Sequence, residues 1–282
     1  TTNLGCSDTA QVTVDVYRRI HASFSVNESG CQPFNADFID GSVNAIQWDW
    51  DFDDGFVSSI QNPSHTYYNA STTSIQRTVE LVVESVEGCQ DDTSIVVDVL
   101  PKPNANFTID DSPSCDNETV AITNSSEENE INTWRFTNSG IPTIINDPII
   151  DTAFNNSGGA PQTFQIFLVV ENSYGCLDSI DKPMTVFPEV EAKFIGLDEG
   201  CSPFEVTFTN LSTGGTLHSW DFGDGDISFE DEPMHEFETS GIADENFEVT
   251  LTTTSPYGCE DSDTFNILVH PTPEPLFTAT PF

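Results

Sequence analysis

Apolar residues in this chain come in short runs that alternate with polar ones. Phe34, Ala36 and Phe38 are spaced by two, as are Phe204, Val206 and Phe208, and denser apolar runs stand at Val79 to Val83, Phe164 to Val170 and Phe247 to Leu251. A period of two is that of a strand with one face buried, because successive side chains leave opposite faces of the pleat. In the last third of the chain the strand signals are Ala192 to Ile195, Phe204 to Asn210, Leu217 to Phe222, Ile227 to Glu230, Asn246 to Thr253 and Asp263 to His270. Gly, Pro, Ser and Asp clusters separate them. Six or seven short strands in about 85 residues predict an all-β fold of immunoglobulin-like sandwiches. Trp50, Trp134 and Trp220 begin the third strand of their segments and are the expected central core aromatics.

The sandwich is repeated. Trp220-Asp221-Phe222-Gly223-Asp224-Gly225 matches Trp50-Asp51-Phe52-Asp53-Asp54-Gly55, and a degraded copy, Trp134-Arg135-Phe136-Thr137-Asn138-Ser139-Gly140, lies between them. The tryptophans are 84 and 86 residues apart, the length of a small domain and too long for a solenoid unit or propeller blade. The copies divide the chain into the last strand of a preceding repeat (1–18), three repeats (19–101, 102–188 and 189–271, the second degenerate), and the start of a following repeat (272–282). Gly5-Cys6 matches the late Gly-Cys of each repeat, and Pro271-Thr272-Pro273 matches the opening Pro101-Lys102-Pro103. The array is expected to continue in both directions. Its linkers pass almost directly from last strand to first, with prolines that favour extended chain, so a semi-rigid extended rod is expected.

Charge narrows the partners. With 47 acidic against 7 basic side chains the net charge is −40, which repels nucleic acids and anionic membranes and attracts divalent cations. No run approaches the ~18 apolar residues of a membrane span, so direct insertion into a bilayer is not expected. Neighbouring repeats, surface glycans and other surface proteins are the expected partners.

The string from Trp220 to Gly225, followed by Pro233-x-His235-x-Phe237, Phe247-Glu248-Val249-Thr250-Leu251 and Tyr257-Gly258-Cys259, resembles the PKD (polycystic kidney disease) domain of bacterial surface proteins. The first repeat carries the same pattern with Pro63-x-His65-x-Tyr67, whereas the second departs from it at Arg135, Thr137 and Asn138. The version with an early Gly-Cys-x-Pro-Phe and a late Gly-Cys is similar to arrays in long cell-surface proteins of Bacteroidota, including gliding-motility adhesins exported by the type IX system. That resemblance implies an extracellular, cell-surface stalk or spacer without catalytic activity. A spacer or polysaccharide-binding accessory module of a secreted hydrolase is the alternative. It also suggests Asp-Ser/Thr-apolar acceptors for O-glycosylation at Thr9, Thr152 and Ser179.

The seven cysteines repeat in position, which in an acidic, exported chain implies disulfides. Cys31, Cys115 and Cys201 come early in their repeats; Cys6, Cys89, Cys176 and Cys259 come late. Pairing within a repeat (Cys31–Cys89, Cys115–Cys176, Cys201–Cys259) is the simplest scheme. In an immunoglobulin-like topology, however, the early and late cysteines sit at opposite ends, roughly 23 Å apart for a seven-residue strand, beyond the ~7 Å Cα limit of a bridge. The preferred scheme is therefore interdomain, Cys31–Cys176 and Cys115–Cys259, with Cys6, Cys89 and Cys201 pairing to further repeats of the same protein, before and after these three. Zinc fits poorly, because no C-x-x-C occurs and no histidine stands beside a repeated cysteine.

Asp51, Asp53 and Asp54, and likewise Asp221, Asp224 and Asp226, place several hard oxygens on one tight loop, as calcium requires. A metal-free turn, with the first Asp as a cap and Gly at a left-handed position, explains the same residues. His65 and His235 recur at one position and are expected to steady a turn. No catalytic motif is present, so no enzyme activity is expected. A carbohydrate platform would need exposed aromatics, for which Trp48, Tyr67, Tyr68, Tyr174 and Tyr257 are the candidates.

Overall fold

Strands form where the two-residue alternation predicts them, and two further pairings set the ends of each sandwich. The structure, a computed structural model, describes residues 8–110, 112–128, 130–137, 143–239 and 241–273. In the first repeat, Gln47–Asp51 sets Trp50 opposite Leu81 of Ile75–Glu84, and that strand pairs antiparallel with Gln90–Leu100. Ser29–Cys31 adds to Gln90–Leu100 in parallel, and Val57–Ser58 flanks Gln47–Asp51 to complete a five-stranded sheet. Two shorter pairs, Phe34–Asp37 with Ser64–Tyr67 and Phe24–Ser25 with Ile39–Asp40, supply the other side of the core. Phe24, Phe34, Ala36, Phe38 and Tyr67 pack there with Trp50, Leu81, Val97 and Val99.

The third repeat has the same order: Glu199–Cys201, Glu260–His270, Glu245–Thr254, Leu217–Asp221 and Ile227–Ser228 in one sheet, with Phe204–Thr207 against Met234–Phe237 and Phe194–Ile195 against Thr209–Asn210. The second repeat departs from it. It has a three-stranded sheet (Phe107–Ile109, Thr119–Asn124, Ile149–Ala153) and a four-stranded one (Ile144–Ile145, Ile131–Phe136, Gln162–Glu171, Leu177–Val186). Its early cysteine edge is reduced to one parallel bridge, Ser114 to Val186. The cause is local. In the other repeats Phe34 and Phe204 lie over Gly30 and Gly200, where a Cβ would come within 2.1 Å of the ring. Ser114 stands there in the second repeat, with Glu118 four residues on.

Trp50, Trp134 and Trp220 are fully buried. At 150–250 Å² each, removing such a side chain from water is worth about 4–6 kcal/mol as an upper figure. By contact density the chain forms two compact units, Thr1–Asn104 with Ser126–Ile131 and Val170–Asp178, and Ala105–Ser125 with Asn132–Val169 and Ser179–Phe282. The first unit thus holds the first repeat together with the Val170–Asp178 turn of the second.

Residues 8–18 are not in a strand, and Val12, Val14 and Val16 are exposed; the strands that the last strand of a preceding repeat would pair with belong to that repeat. Other expectations need correction. Residues 1–7, including Cys6, and 274–282 lie outside the described residues, as does Asn138. The single strand expected from Phe204 to Asn210 is two, because Phe208 breaks from the first pairing and its N–H bonds the Pro233 carbonyl. Cys31 and Cys201 end short parallel edge strands that the alternation does not predict. Tyr67 is buried and leaves the set of candidate exposed aromatics. Trp48 is partly buried and donates its indole N–H to Asp40 at 2.8 Å.

Candidate functional site: cysteine ties and acidic turns

The parallel edge strand fixes the cysteine geometry. Cys31 is in register with Leu100, at the far end of the strand Gln90–Leu100, whereas Cys89 immediately precedes that strand. Eleven residues at 3.3 Å separate the two ends by about 36 Å, so a bridge within the repeat is impossible. Cys201 opposite His270 and Cys259 before Glu260 repeat the arrangement. The structure joins Cys31 to Cys176 and Cys115 to Cys259, with Cα atoms 5.6 and 5.7 Å apart. Cys89 and Cys201 carry no disulfide among the described residues.

Each late cysteine ends a tight turn. Ser85, Asn172 and Ser255 donate their backbone N–H to the carbonyls of Cys89, Cys176 and Cys259, and Gly88, Gly175 and Gly258 take φ of 80–86° inside the turn. Asn172 does more than its serine counterparts. Its Oδ1 accepts the N–H of Tyr174 and Cys176, and its Nδ2 donates to the Pro101 carbonyl at 3.0 Å. Lys102 pairs with Asp178 at 2.6 Å beside it. In the second unit, Phe187 at the end of the second repeat stacks on Tyr257 of the third repeat's turn, centroids 4.6 Å apart. The Asp two residues past the late cysteine also has a fixed task, since Asp91 and Asp261 accept the Ala22 and Ala192 N–H at 2.8 Å. That amide bond outweighs the other influences and holds the Asp91 carboxyl below the usual carboxylate range.

The acidic turns are built from their own amides. Asp51 Oδ1 accepts the Asp53 N–H and Asp221 Oδ1 the Gly223 N–H, both at 2.9 Å. Asp54 and Asp224 then accept the N–H of Phe56 and Asp226. Gly223 has φ 78°, where a Cβ would meet the Glu248 carbonyl at 2.6 Å; Asp53 occupies the equivalent place at φ 62° and accepts the Thr78 N–H. His65 and His235 close the turns. Each lies flat on a phenylalanine, Phe52 or Phe222, and places Nε2 2.7 Å from Asp54 or Asp224. Burial pushes the Asp224 carboxyl up, but hydrogen bonds from His235 and the Asp226 amide more than offset it and the net shift is downward. In the second repeat the histidine position is taken by Ile150, beside Asp151, and the Asp51 position by Arg135. Asp224, Asp226 and His235 bring one ligand atom each within 4.8 Å of one another. Each carboxylate keeps lone pairs beyond the turn bonds, whereas His235 Nε2 already faces Asp224.

The remaining expected residues are spread out. Thr9 and Ser179 are exposed and Thr152 is half-buried in Ile149–Ala153. Two asparagines escaped the reading of motifs. Asn69 donates to the Thr73 and Val99 carbonyls and Asn156 to those of Ala160 and Val186, both fully buried. Their signal was only an asparagine six or eight residues after the Pro63 or Pro148 of each repeat.

All-strand sandwiches repeated along one chain, with cysteines bridged between successive repeats, define an array of immunoglobulin-like modules of the extracellular type. The PKD domain model matches residues 18–99 and 185–269, and the chain belongs to the PKD domain family. No curated protein matches it. Among solved structures, the PKD1 domain of Vibrio anguillarum Epp is 24% identical, over 30% of this chain and 96% of that one, with a TM-score of 0.26. The N-terminal eight Ig domains of Down Syndrome Cell Adhesion Molecule are 10% identical with a TM-score of 0.51, covering 92% of this chain, which spans 37% of that one. A Bacteroides ovatus protein, SGBP-B, solved with a mixed-linkage heptasaccharide, is 11% identical over 92% of this chain and 71% of that one, with a TM-score of 0.25.

Proposed function

We propose that this chain is a non-enzymatic stalk within a long cell-surface adhesin, serving surface attachment or gliding motility. The observation that carries this reading is the pair of disulfides that tie the early cysteine of one repeat to the late cysteine of the next. A bridge placed there resists separation of successive modules under tension. Cys89 and Cys201 occupy the same two positions and extend the rule, with partners in further repeats. Calcium at the acidic turns of the first and third repeats belongs to the same proposal, as a cation that stiffens the loops, and so does O-glycosylation at Thr9, Thr152 and Ser179. Substitution of the repeats in the surface protein is the test. Replacing them with unrelated sandwich repeats of equal length should preserve attachment, whereas deleting them should abolish it. Attachment that survives deletion, or hydrolytic turnover by the purified chain that a single carboxylate substitution removes, would sink the proposal.

A further inference from the structure

The outer face of the second repeat's four-stranded sheet differs from the same face in its neighbours. Counting from the tryptophan and the late cysteine, the first repeat presents Asp51, Glu80, Val82, Asp92 and Ser94 there, and the third presents Asp221, Thr250, Thr252, Ser262 and Thr264. The second presents Arg135, Phe167, Val169, Ser179 and Asp181. These five line one open groove with Thr143 at its rim, about 580 Å³ in volume, within the usual range of small-ligand sites. An arginine thus stands where both sister repeats have aspartate, in a chain with only 7 basic residues. Among the described residues the structure records no ion pair for Arg135. Phe167, 37% exposed, turns an aromatic ring outward where the sisters have glutamate or threonine.

We propose that this groove binds a carboxylate-bearing saccharide of the uronic-acid type. The guanidinium fork matches a carboxylate in two hydrogen bonds. The Phe167 ring and Val169 supply a flat apolar surface for the C–H face of a pyranose, and Asp181, Ser179 and Thr143 offer acceptors and donors to ring hydroxyls. Asp181 on the same floor as Arg135 disfavours a dense polyanion and favours a ligand that spaces single carboxylates between hydroxyls. The site goes beyond the stalk reading, which stands with or without it, and it replaces one part of that proposal: the groove is open only where Ser179 carries no sugar.

Two substitutions borrowed from the sister repeats test it with little risk to folding: Arg135→Asp, the residue of repeats one and three, and Phe167→Glu, the residue of repeat one. Tetragalacturonate would be titrated calorimetrically into the full chain, made without O-glycosylation because sugar on Ser179 would fill the groove. A neutral galactose tetramer and an acidic hexapeptide serve as comparison probes. Binding of tetragalacturonate is expected, weakened at least tenfold by either substitution and unchanged by Ser262→Ala, at the exposed counterpart of Ser179 on the third repeat. Absence of binding at millimolar probe, insensitivity to both substitutions, or equal binding of the acidic peptide overturns the assignment. A melting curve matching the unsubstituted chain keeps each loss attributable to the groove.

Discussion

His235 Nε2 lies 2.7 Å from Asp224 Oδ2, with its ring stacked flat on Phe222 at a centroid distance of 4.1 Å. The pair repeats at Asp54, His65 and Phe52, so it is a structural device of the acidic turn and not an isolated contact. Because the folded Asp224 carboxyl is held below its ordinary value, its contribution is fully present above the unfolded carboxylate pKa of about 3.9. It is lost as pH falls through the lower folded value. Asp224→Asn should therefore flatten the loss of stability on acidification below about pH 4. At neutral pH it should cost about 1–2 kcal/mol, the scale of a hydrogen bond to a charged group. Urea midpoints measured from pH 7 to pH 2 check both signs.

Bridges across repeats predict a distinctive peptide map. Digestion without reductant should release Cys31 linked to Cys176 and Cys115 linked to Cys259. Each closes a loop of about 145 residues, for which loop-closure entropy sets an upper figure of roughly 5 kcal/mol. Cys176→Ser should lower the denaturant midpoint accordingly. Peptides linking Cys31 to Cys89 would contradict the geometry.

Every central tryptophan donates its indole N–H to a carbonyl of the loop that follows: Trp50 to Ile60, Trp134 to Asp147 and Trp220 to Glu230, at 2.9–3.0 Å. Trp220→Phe preserves an aromatic core but removes that donor and leaves a gap. The expected loss is about 2–4 kcal/mol, read from chemical denaturation, and Trp134→Phe should behave alike despite the degraded motif around it.

Asn172→Ser installs the residue that the other two repeats use in this turn. The turn should survive, because Ser85 and Ser255 accept the N–H of Cys89 and Cys259. The bond to the Pro101 carbonyl should not. A loss of about 1 kcal/mol is expected, with faster amide exchange at Lys102 and Asn104, the two residues of that segment that carry an N–H.

Calcium, if held at Asp51, Asp53 and Asp54 and at Asp221, Asp224 and Asp226, stabilises only the folded state and raises the melting temperature with concentration. The expected result is a rise with millimolar calcium over EDTA that Asp224→Asn together with Asp226→Asn reduces. Identical melting in both conditions would leave the turns to their amide hydrogen bonds alone.

Sandwich class, repeat period and the polarity of early and late cysteines were legible in the chain, because alternation and motif spacing are local properties that backbone periodicity enforces. Trp50, Trp134 and Trp220 were readable as core for the same reason. The short parallel edges at Ser29–Cys31 and Glu199–Cys201 were not, since three residues without alternation become a strand only when a distant strand offers its hydrogen bonds. The same holds for Asn69 and Asn156, whose carbonyl partners at Val99 and Val186 lie 30 residues away. The segment Val12 to Val16 shows the converse: it has the pattern of a strand, yet stays exposed among the described residues. Nor could sequence order reveal that Arg135, Phe167 and Ser179 share one groove, because strand pairing alone brings those residues together. Local patterning chose the elements; long-range pairing chose their ends, their partners and the surfaces they share.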